Sequence, residues 1–161
     1  MPEDNPLELA RRVGRILKSK GLSLACAESC SGGLLSHFIT NIPGSSRYFK
    51  GAIICYSLES KSKLLGINAR ILSQKGAVSR EVALLLAQNV RKVFSSDIGL
   101  SITGVAGPSR DQDQNPVGTV FIGISVKNKT QSFNFRFKGS RLSIKKKASI
   151  EALRILIRLI Q

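Results

Sequence analysis

The feature that most limits the fold of this chain is a regular alternation between short apolar runs and segments with helical periodicity. Three runs of strand length occupy 22–27, 51–56 and 98–103. Helical patterns cover 6–20, 34–42, 59–65 and a segment that follows the N-cap candidate Ser79. Two later runs, 119–126 and 131–137, predict a β-hairpin turned at 127–130, and a last helix begins at about Leu142. This order predicts an α/β fold, a three-layer α/β/α sandwich with a mixed, mostly parallel β-sheet.

Length and composition fit a single domain with one core. The chain has 161 residues, 42% of them hydrophobic, and no linker, repeat or low-complexity tract, so we expect one domain over residues 1–161. Met1 to Pro6 contains neither the basic nor the apolar region of a signal peptide, and no apolar stretch reaches transmembrane length. The three cysteines match no metal or haem spacing and are predicted to be buried reduced thiols. These features predict a cytoplasmic protein with no membrane partner.

The charge balance favours anionic partners. The formal net charge is +15, and such a field attracts polyanions and speeds the capture of phosphorylated small molecules. The basic residues are spread along the chain, with a local cluster at Arg141 and 145–147. That cluster lacks interleaved aromatic residues, and no nucleic-acid-binding motif accompanies it. The charge is therefore weak support for a nucleic-acid partner.

Polar residues follow each of the first three predicted strands, where open α/β sheets bind their ligands. The first such segment is Ala27-Glu28-Ser29-Cys30-Ser31-Gly32-Gly33. A helix that starts there would direct unpaired backbone N–H groups toward Ser29 and Ser31, an arrangement that holds a phosphate or an oxyanion. The structural alternative is a capped helix start without any ligand.

The other two strand ends add a lysine and a glycine-rich loop. Tyr56 closes the second strand, and Lys61 lies at the start of the next helix, where its charge opposes the helix dipole. A solvated surface lysine is the simpler explanation of Lys61 taken alone. The third strand leads into Thr103-Gly104-Val105-Ala106-Gly107-Pro108, which is neither a Walker sequence nor a dinucleotide fingerprint.

Elimination narrows the chemistry that these residues can support. His37 is the only histidine, and it lies inside the second predicted helix, so a Ser-His-Asp triad has no support. Asp111 and Asp113 stand in a loop without supporting ligands, so no metal site is predicted. If the protein is a hydrolase, a serine activated by a lysine is the remaining economical design.

Taken in order, the polar segments resemble the CinA C-terminal domain family. The matching stretches span nearly the whole chain and occupy 27–33, 42–46, 48–49, 56–57, 61, 65–66, 76–79, 103–108 and 116–120. The resemblance implies an α/β/α sandwich and a nicotinamide-nucleotide amidase, which hydrolyses nicotinamide mononucleotide to nicotinic acid mononucleotide and ammonia. It also implies that no metal or cofactor is needed and that the protein forms homo-oligomers. Larger members carry an additional N-terminal domain, so this chain resembles the stand-alone form.

The resemblance also implies a role for individual residues. Ser29 becomes the candidate nucleophile, Lys61 the candidate base and Tyr56 the source of a supporting hydroxyl. The candidates for lining the pocket are Thr103, Gly104, Ala106 and Gly107. The candidates for holding the phosphate or the oxyanion are Ser31, Gly32, Gly33, Ser45 and Ser46, with Arg141 as a further phosphate contact. Ser31 and Cys30 stay open as alternative nucleophiles.

Three departures from the family pattern bear on the substrate more than on the fold. Ser31 stands where members usually have Thr, Leu58 replaces a usual Asn, and 109–113 replace a loop that usually carries glycines. A non-catalytic protein that binds a nicotinamide nucleotide or a nucleic-acid-associated partner is the alternative function. The joint presence of Ser29, Tyr56 and Lys61 favours the enzyme, because a binding module has no evident need for all three.

Overall fold

The predicted strands assemble into one five-stranded sheet in a computed structural model, which describes residues 5–161. Residues 1–4, on which most of the signal-peptide prediction depends, lie outside the described range. The strands are β1 (Leu24–Glu28), β2 (Phe49–Ile54), β3 (Ile98–Gly104), β4 (Thr119–Val126) and β5 (Lys129–Arg136). The helices are α1 (Pro6–Lys20), α2 (Leu34–Thr40), α3 (Leu58–Leu65), α4 (Ala69–Lys75), α5 (Arg80–Phe94) and α6 (Arg141–Ile160), with a short 3-10 helix at Ser45–Arg47.

The sheet has the order β2-β1-β3-β4-β5 and mixes both kinds of pairing. β1 pairs in parallel with β2 and with β3, whereas β4 runs antiparallel to β3 and to β5. Four strands therefore point in one direction, and β4 alone runs against them. This arrangement confirms the mixed, mostly parallel sheet.

Helices cover both faces of the sheet, and strand β1 is therefore buried on both sides. Leu24 and Cys26 belong to the larger core, to which α1, α2 and α6 contribute. Ala25 and Ala27 alternate with them and belong to the second core, which receives Leu65, Leu72 and Leu86 from α3, α4 and α5. The two helical layers around the sheet confirm the predicted three-layer sandwich.

Helix α5 lies unusually close to the sheet, and small residues make this possible. A Cβ atom at Gly99 would collide with the backbone carbonyl of Ala87, and one at Gly123 would collide with that of Ala83. Ser101, between them in the sheet, donates its hydroxyl to the Ala83 carbonyl at 2.7 Å. These close approaches hold α5 directly against strands β3 and β4.

Several element boundaries differ from the predictions for local reasons. The sequence pattern does not predict helix α4, because this helix has only seven residues and buries only Leu72. Strand β2 begins two residues earlier than expected and ends at Ile54, which leaves Cys55 and Tyr56 beyond the sheet.

The three cysteines are free and buried, as predicted. None of the helices within residues 5–161 is long and apolar enough to cross a bilayer.

Candidate active site

The ends of three parallel strands meet at one edge of the sheet, and the candidate catalytic residues lie there. The N–H of Ser29 donates to the carbonyl of Ile102 at 3.0 Å, and the N–H of Cys55 donates to that of Glu28 at 2.9 Å. These bonds join the segments that follow β1, β2 and β3. The chain leaves β1 toward β2 and later returns to place β3 on the other side of β1. Such a switch in strand order is where open α/β sheets form their ligand crevice.

Ser29 and Lys61 are in direct contact at this edge. Helix α3 starts with a capping box between Ser57 and Ser60, which fixes its first turn and the position of Lys61. The Lys61 Nζ lies 3.0 Å from Ser29 Oγ and also donates to the Cys55 carbonyl at 2.6 Å. Lys61 is 1% exposed and Ser29 7%, so the pair is almost wholly removed from bulk water. A long cationic side chain buried in this way contradicts the solvated-lysine alternative.

Burial changes the protonation of the groups around Ser29. Loss of solvent lowers the pKa of Lys61, which favours the neutral amine that can accept a proton. Burial raises the pKa of the Cys30 thiol to about 12, so this group stays a thiol rather than a thiolate at neutral pH. Ser31 Oγ is wholly buried and has no hydrogen-bond partner among the described residues. Of the three candidate nucleophiles, Ser29 is the one in hydrogen-bond contact with Lys61.

Glu28, a residue without a predicted role, organises the turn after β1. Its wholly buried carboxylate accepts bonds from the N–H groups of Gly33, Leu35 and Ser36 and from the Ser36 hydroxyl, at 2.5–3.2 Å. The start of α2 is therefore capped by a side chain from the strand end. This finding corrects the expectation for Gly33, whose N–H is already bonded and does not face a substrate anion.

Two N–H groups of the same turn keep their donor capacity. The N–H of Gly32 donates to the Ser29 carbonyl and that of Leu34 to the Ser31 carbonyl. The N–H groups of Cys30 and Ser31 donate to no oxygen atom within residues 5–161. They directly follow Ser29 in the chain, where an oxyanion formed on a substrate would need hydrogen-bond donors.

Arg141 links Tyr56, which follows β2, to Gly107 in the loop after β3. Arg141, the first residue of α6, donates to the carbonyl of Gly107 at 2.5 Å and to the Tyr56 hydroxyl at 2.8 Å. The structure thus directs the Tyr56 hydroxyl to Arg141, while the Tyr56 carbonyl lies 3.5 Å from Lys61 Nζ. The expected support of Lys61 by the Tyr56 hydroxyl is not seen in this conformation. Tyr56 is 59% exposed, so its ring is available to a ligand.

Three further predicted site residues lie at or just after the end of β3. Gly104 lies beside Cys30, since a Cβ there would approach Cys30 Sγ to 3.1 Å, and Ala106 is buried. Thr103 is wholly buried, and its hydroxyl donates to the Ala77 carbonyl at 2.8 Å. These residues line the strand end, but the Thr103 hydroxyl is engaged by the protein.

Ser45 and Ser46 lie near the amino-terminal ends of the parallel strands, whereas Ser29 lies at their carboxyl-terminal ends. They precede β2, whose first residue Phe49 pairs with Leu24 at the start of β1, whereas Ser29 follows the end of β1. The five residues of β1 separate the two edges by roughly 16 Å. Within one chain the structure therefore does not bring these serines to the crevice, contrary to the expectation.

The structure also shows where the only histidine lies and how the possible metal ligands are arranged. His37 is exposed on α2, where its ring lies 3.0 Å from the Asn41 side-chain amide. Across residues 5–161, no group of three or more His, Cys, Asp or Glu side chains is arranged to hold a metal ion.

Sequence comparison with known proteins identifies one family that matches nearly the whole chain. Residues 7–160 match the model of the CinA C-terminal domain. A CinA-like protein from Endomicrobium trichonymphae is 45% identical over 93% of this chain and 35% of its own length, and one from Geobacter sulfurreducens is 41% identical over 93% and 36%. The chain thus spans about a third of the length of these curated relatives.

Solved structures show the same fold at similar size. The competence/damage inducible protein CihA from Agrobacterium tumefaciens has a TM-score of 0.93 at 32% identity and covers 97% of this chain and 96% of its own. A CinA superfamily protein from Klebsiella pneumoniae has a TM-score of 0.95 at 28% identity and covers 97% and 98%. On these grounds the chain belongs to the CinA C-terminal domain family.

Proposed function

We propose that this protein is an amidase that hydrolyses nicotinamide mononucleotide to nicotinic acid mononucleotide and ammonia. The observation that carries the proposal is the buried contact of 3.0 Å between Lys61 Nζ and Ser29 Oγ. A nucleophile in hydrogen-bond reach of a base is the arrangement that activates serine for acyl transfer. Membership of the CinA C-terminal domain family supports the choice of substrate, since the family resemblance implies this amide.

In the first half of the reaction, neutral Lys61 takes the proton of Ser29 as Oγ attacks the carboxamide carbon. The negative charge moves to the amide oxygen, where the N–H groups of Cys30 and Ser31, which donate to no oxygen atom within residues 5–161, are the available donors. The protonated Lys61 then gives its proton to the leaving nitrogen. Ammonia departs as the C–N bond breaks, and the acyl group stays on Ser29 as an ester.

In the second half, water replaces ammonia in the same geometry. Lys61, neutral again, takes a proton from the water that attacks the ester carbon, and it returns this proton to Ser29 Oγ as the ester bond breaks. The carboxylic acid product then loses its proton to solvent. The Cys55 carbonyl, 2.6 Å from Lys61 Nζ, holds the amine in place during both proton transfers.

The charge around the crevice supports an anionic substrate. Arg141 lies at its rim, the whole chain carries a formal net charge of +15, and the described ion pairs of the chain do not involve Arg141. The expected self-association is supported by the exposed apolar side chains of Ile54, Leu58 and Leu64, which lie on the edge strand β2 and on α3.

An ammonia-release assay without added metal tests the proposal. Nicotinamide mononucleotide, the riboside and related amides are compared with the wild-type protein, with Ser29→Ala and with Ser73→Ala, a control at an exposed position of α4. We expect release from the mononucleotide, its loss in Ser29→Ala and its retention in Ser73→Ala. Full activity of Ser29→Ala would overturn the assigned nucleophile. No release from any amide, together with binding of the mononucleotide, would favour the non-catalytic alternative.

A further inference from the structure

A second cation lies over the nucleophile turn, and its position has no structural explanation. Lys145 follows Arg141 by one turn of α6, so both side chains project from the same helix face. The Nζ of Lys145 lies 3.4 Å from the point where a Cβ of Gly32 would stand, and its Cε lies 3.8 Å from that point. Gly32 has a φ of +59°, so the turn presents bare backbone to this ammonium.

The ammonium of Lys145 has no partner in the part of the chain that the structure describes. No carboxylate oxygen lies within 4.0 Å of its Nζ, and it donates no hydrogen bond there, although the side chain is half-buried. Cys30 lies close enough for the positive charge of Lys145 to lower the pKa of its thiol in part, against the larger effect of burial. The charge thus lies close to the turn that carries Ser29.

The surroundings of Lys145 make this arrangement unfavourable without a bound anion. Two cations four residues apart on a helix repel each other, and cations near the start of a helix oppose its dipole. The first turn of α6 contains no acidic residue that could compensate. The Ser31 hydroxyl, in the same turn as Gly32, is wholly buried and also has no partner in residues 5–161. Local conflicts of this kind are typical of ligand sites.

We propose that Lys145 is the specificity-determining residue that binds the phosphate of the substrate, with Arg141 as the second cation. A phosphomonoester carries a charge near −2 at neutral pH and presents several acceptor oxygens, so it matches two cations better than a carboxylate does. Arg141 keeps N–H donors beyond the two that it uses for Gly107 and Tyr56. This inference rests on the proposed amidase function and names the group by which its substrate is selected.

The position of Lys145 also fits a substrate that reaches Ser29 with its amide. The N–H of Gly32 closes a turn onto the Ser29 carbonyl at 3.0 Å, and the ends of such a turn lie within about 7 Å of each other. Lys145 therefore stands one tight turn away from the nucleophile. A ligand whose amide meets Ser29 can place a phosphate at its other end near Lys145, whereas the riboside has no group for it.

The test compares Lys145→Gln with Lys146→Gln, which removes the same charge from a neighbouring exposed position of α6. Loss of a charged hydrogen bond costs about 1.5–3 kcal/mol, which corresponds to roughly a 10- to 100-fold change. We expect Lys145→Gln to lower kcat/KM for nicotinamide mononucleotide by about that factor through KM, and to lower it much less for the riboside. Lys145→Arg should restore part of the loss, and Lys146→Gln should match the wild type. Equal losses for both substrates, or none, would overturn the inference.

A binding measurement separates failure of this inference from failure of the proposed function. Calorimetry measures the affinity of Ser29→Ala for nicotinic acid mononucleotide, with and without Lys145→Gln, and the competition by inorganic phosphate. Weaker binding and weaker phosphate competition in the double variant support the inference even if the wild type releases no ammonia. Unchanged affinity, or no binding of the mononucleotide in either variant, overturns it whatever the amidase assay shows.

Discussion

Lys61 occupies a position that is energetically unfavourable for a charged side chain, because its amine, which is charged in water, is only 1% exposed here. Burial lowers its pKa below the ordinary value of 10.5. Since only the neutral amine can take the proton of Ser29, we expect kcat/KM to rise with pH along an acid limb whose midpoint lies below 10.5. A pH profile of ammonia release measures this limb, and Lys61→Arg, which keeps its proton, should be inactive throughout. A profile that falls with pH in this range would contradict the assignment of Lys61 as base.

The same shift makes a prediction about stability. The unfolded chain holds the proton of Lys61 up to about 10.5, whereas the folded protein releases it at lower pH. Between these two values the unfolded state binds more protons, so the contribution of Lys61 to stability rises with pH. Below the folded pKa the residue only imposes the cost of a buried charge.

Urea unfolding at several pH values, compared with Lys61→Met, isolates this contribution. The free energy of unfolding of the wild type should gain on that of Lys61→Met as the pH rises toward 10.5. Titrating groups remote from Lys61 cancel in the difference, whereas Cys30 and Cys55 contribute to it, because the charge of Lys61 lowers the pKa of both thiols. A difference that stays constant, or that shrinks with rising pH, would mean that Lys61 is not desolvated in solution.

At the scale of elements, the link between β1 and α2 depends on Glu28. Its carboxylate accepts four hydrogen bonds from the first turn of α2 while its own backbone belongs to the strand. In Glu28→Gln, the new NH₂ group would face N–H donors of the helix start. We expect a loss of about 1–3 kcal/mol in unfolding free energy and a lower kcat, because Ser29 and the Cys30 and Ser31 N–H groups lie on the same turn.

Thermal and urea unfolding of Glu28→Gln, with ammonia release in parallel, measure both effects. Glu59→Gln provides a matched control, because Glu59 is exposed and pairs with Lys63 on the surface of α3. That change should leave stability within about 0.5 kcal/mol of the wild type. Unchanged stability in Glu28→Gln would mean that the four bonds do not hold the turn.

What the sequence predicts at this scale depends on whether the deciding interaction is local. The helical pattern from Pro6 and the N-cap candidate Ser79 are local signals, and α1 and α5 start where these residues indicate. Glu28 caps α2 from the neighbouring strand, so no rule based on adjacent residues finds it. The edge occupied by Ser45 likewise follows from strand pairing rather than from its own sequence context.

The pairing of Ser29 with Lys61 shows the same limit. Their positions at two strand ends predict that they lie near each other, but 32 residues separate them in the chain. The absence of histidine and metal sites leaves a serine activated by a lysine as the economical design for a hydrolase, and the family resemblance implies which serine and which lysine form the pair. Burial of the amine and its contact with the hydroxyl are properties of the folded chain alone. The direction of the Tyr56 hydroxyl toward Arg141 is another such property.

For the whole molecule, the excess of 25 basic over 10 acidic side chains predicts that capture of the proposed substrate depends on salt. The field of a net charge of +15 attracts nicotinamide mononucleotide, whose phosphate outweighs its pyridinium charge, and repels the cationic riboside. Salt screens this field over about 10 Å at 0.1 M and about 3 Å at 1 M. We therefore expect kcat/KM to fall about three- to tenfold with rising salt for the mononucleotide, and to rise for the riboside.

Opposite signs for the two substrates distinguish this long-range effect from damage to the protein, which would lower both rates together. Steady-state rates over a sodium chloride series measure the two slopes. Lys146→Gln should reduce both slopes slightly, because it removes one of many charges. Lys145→Gln should reduce the mononucleotide slope more, since a group in contact with the phosphate is lost along with one charge of the field. Slopes of the same sign and size for both substrates would show that the net charge serves another partner.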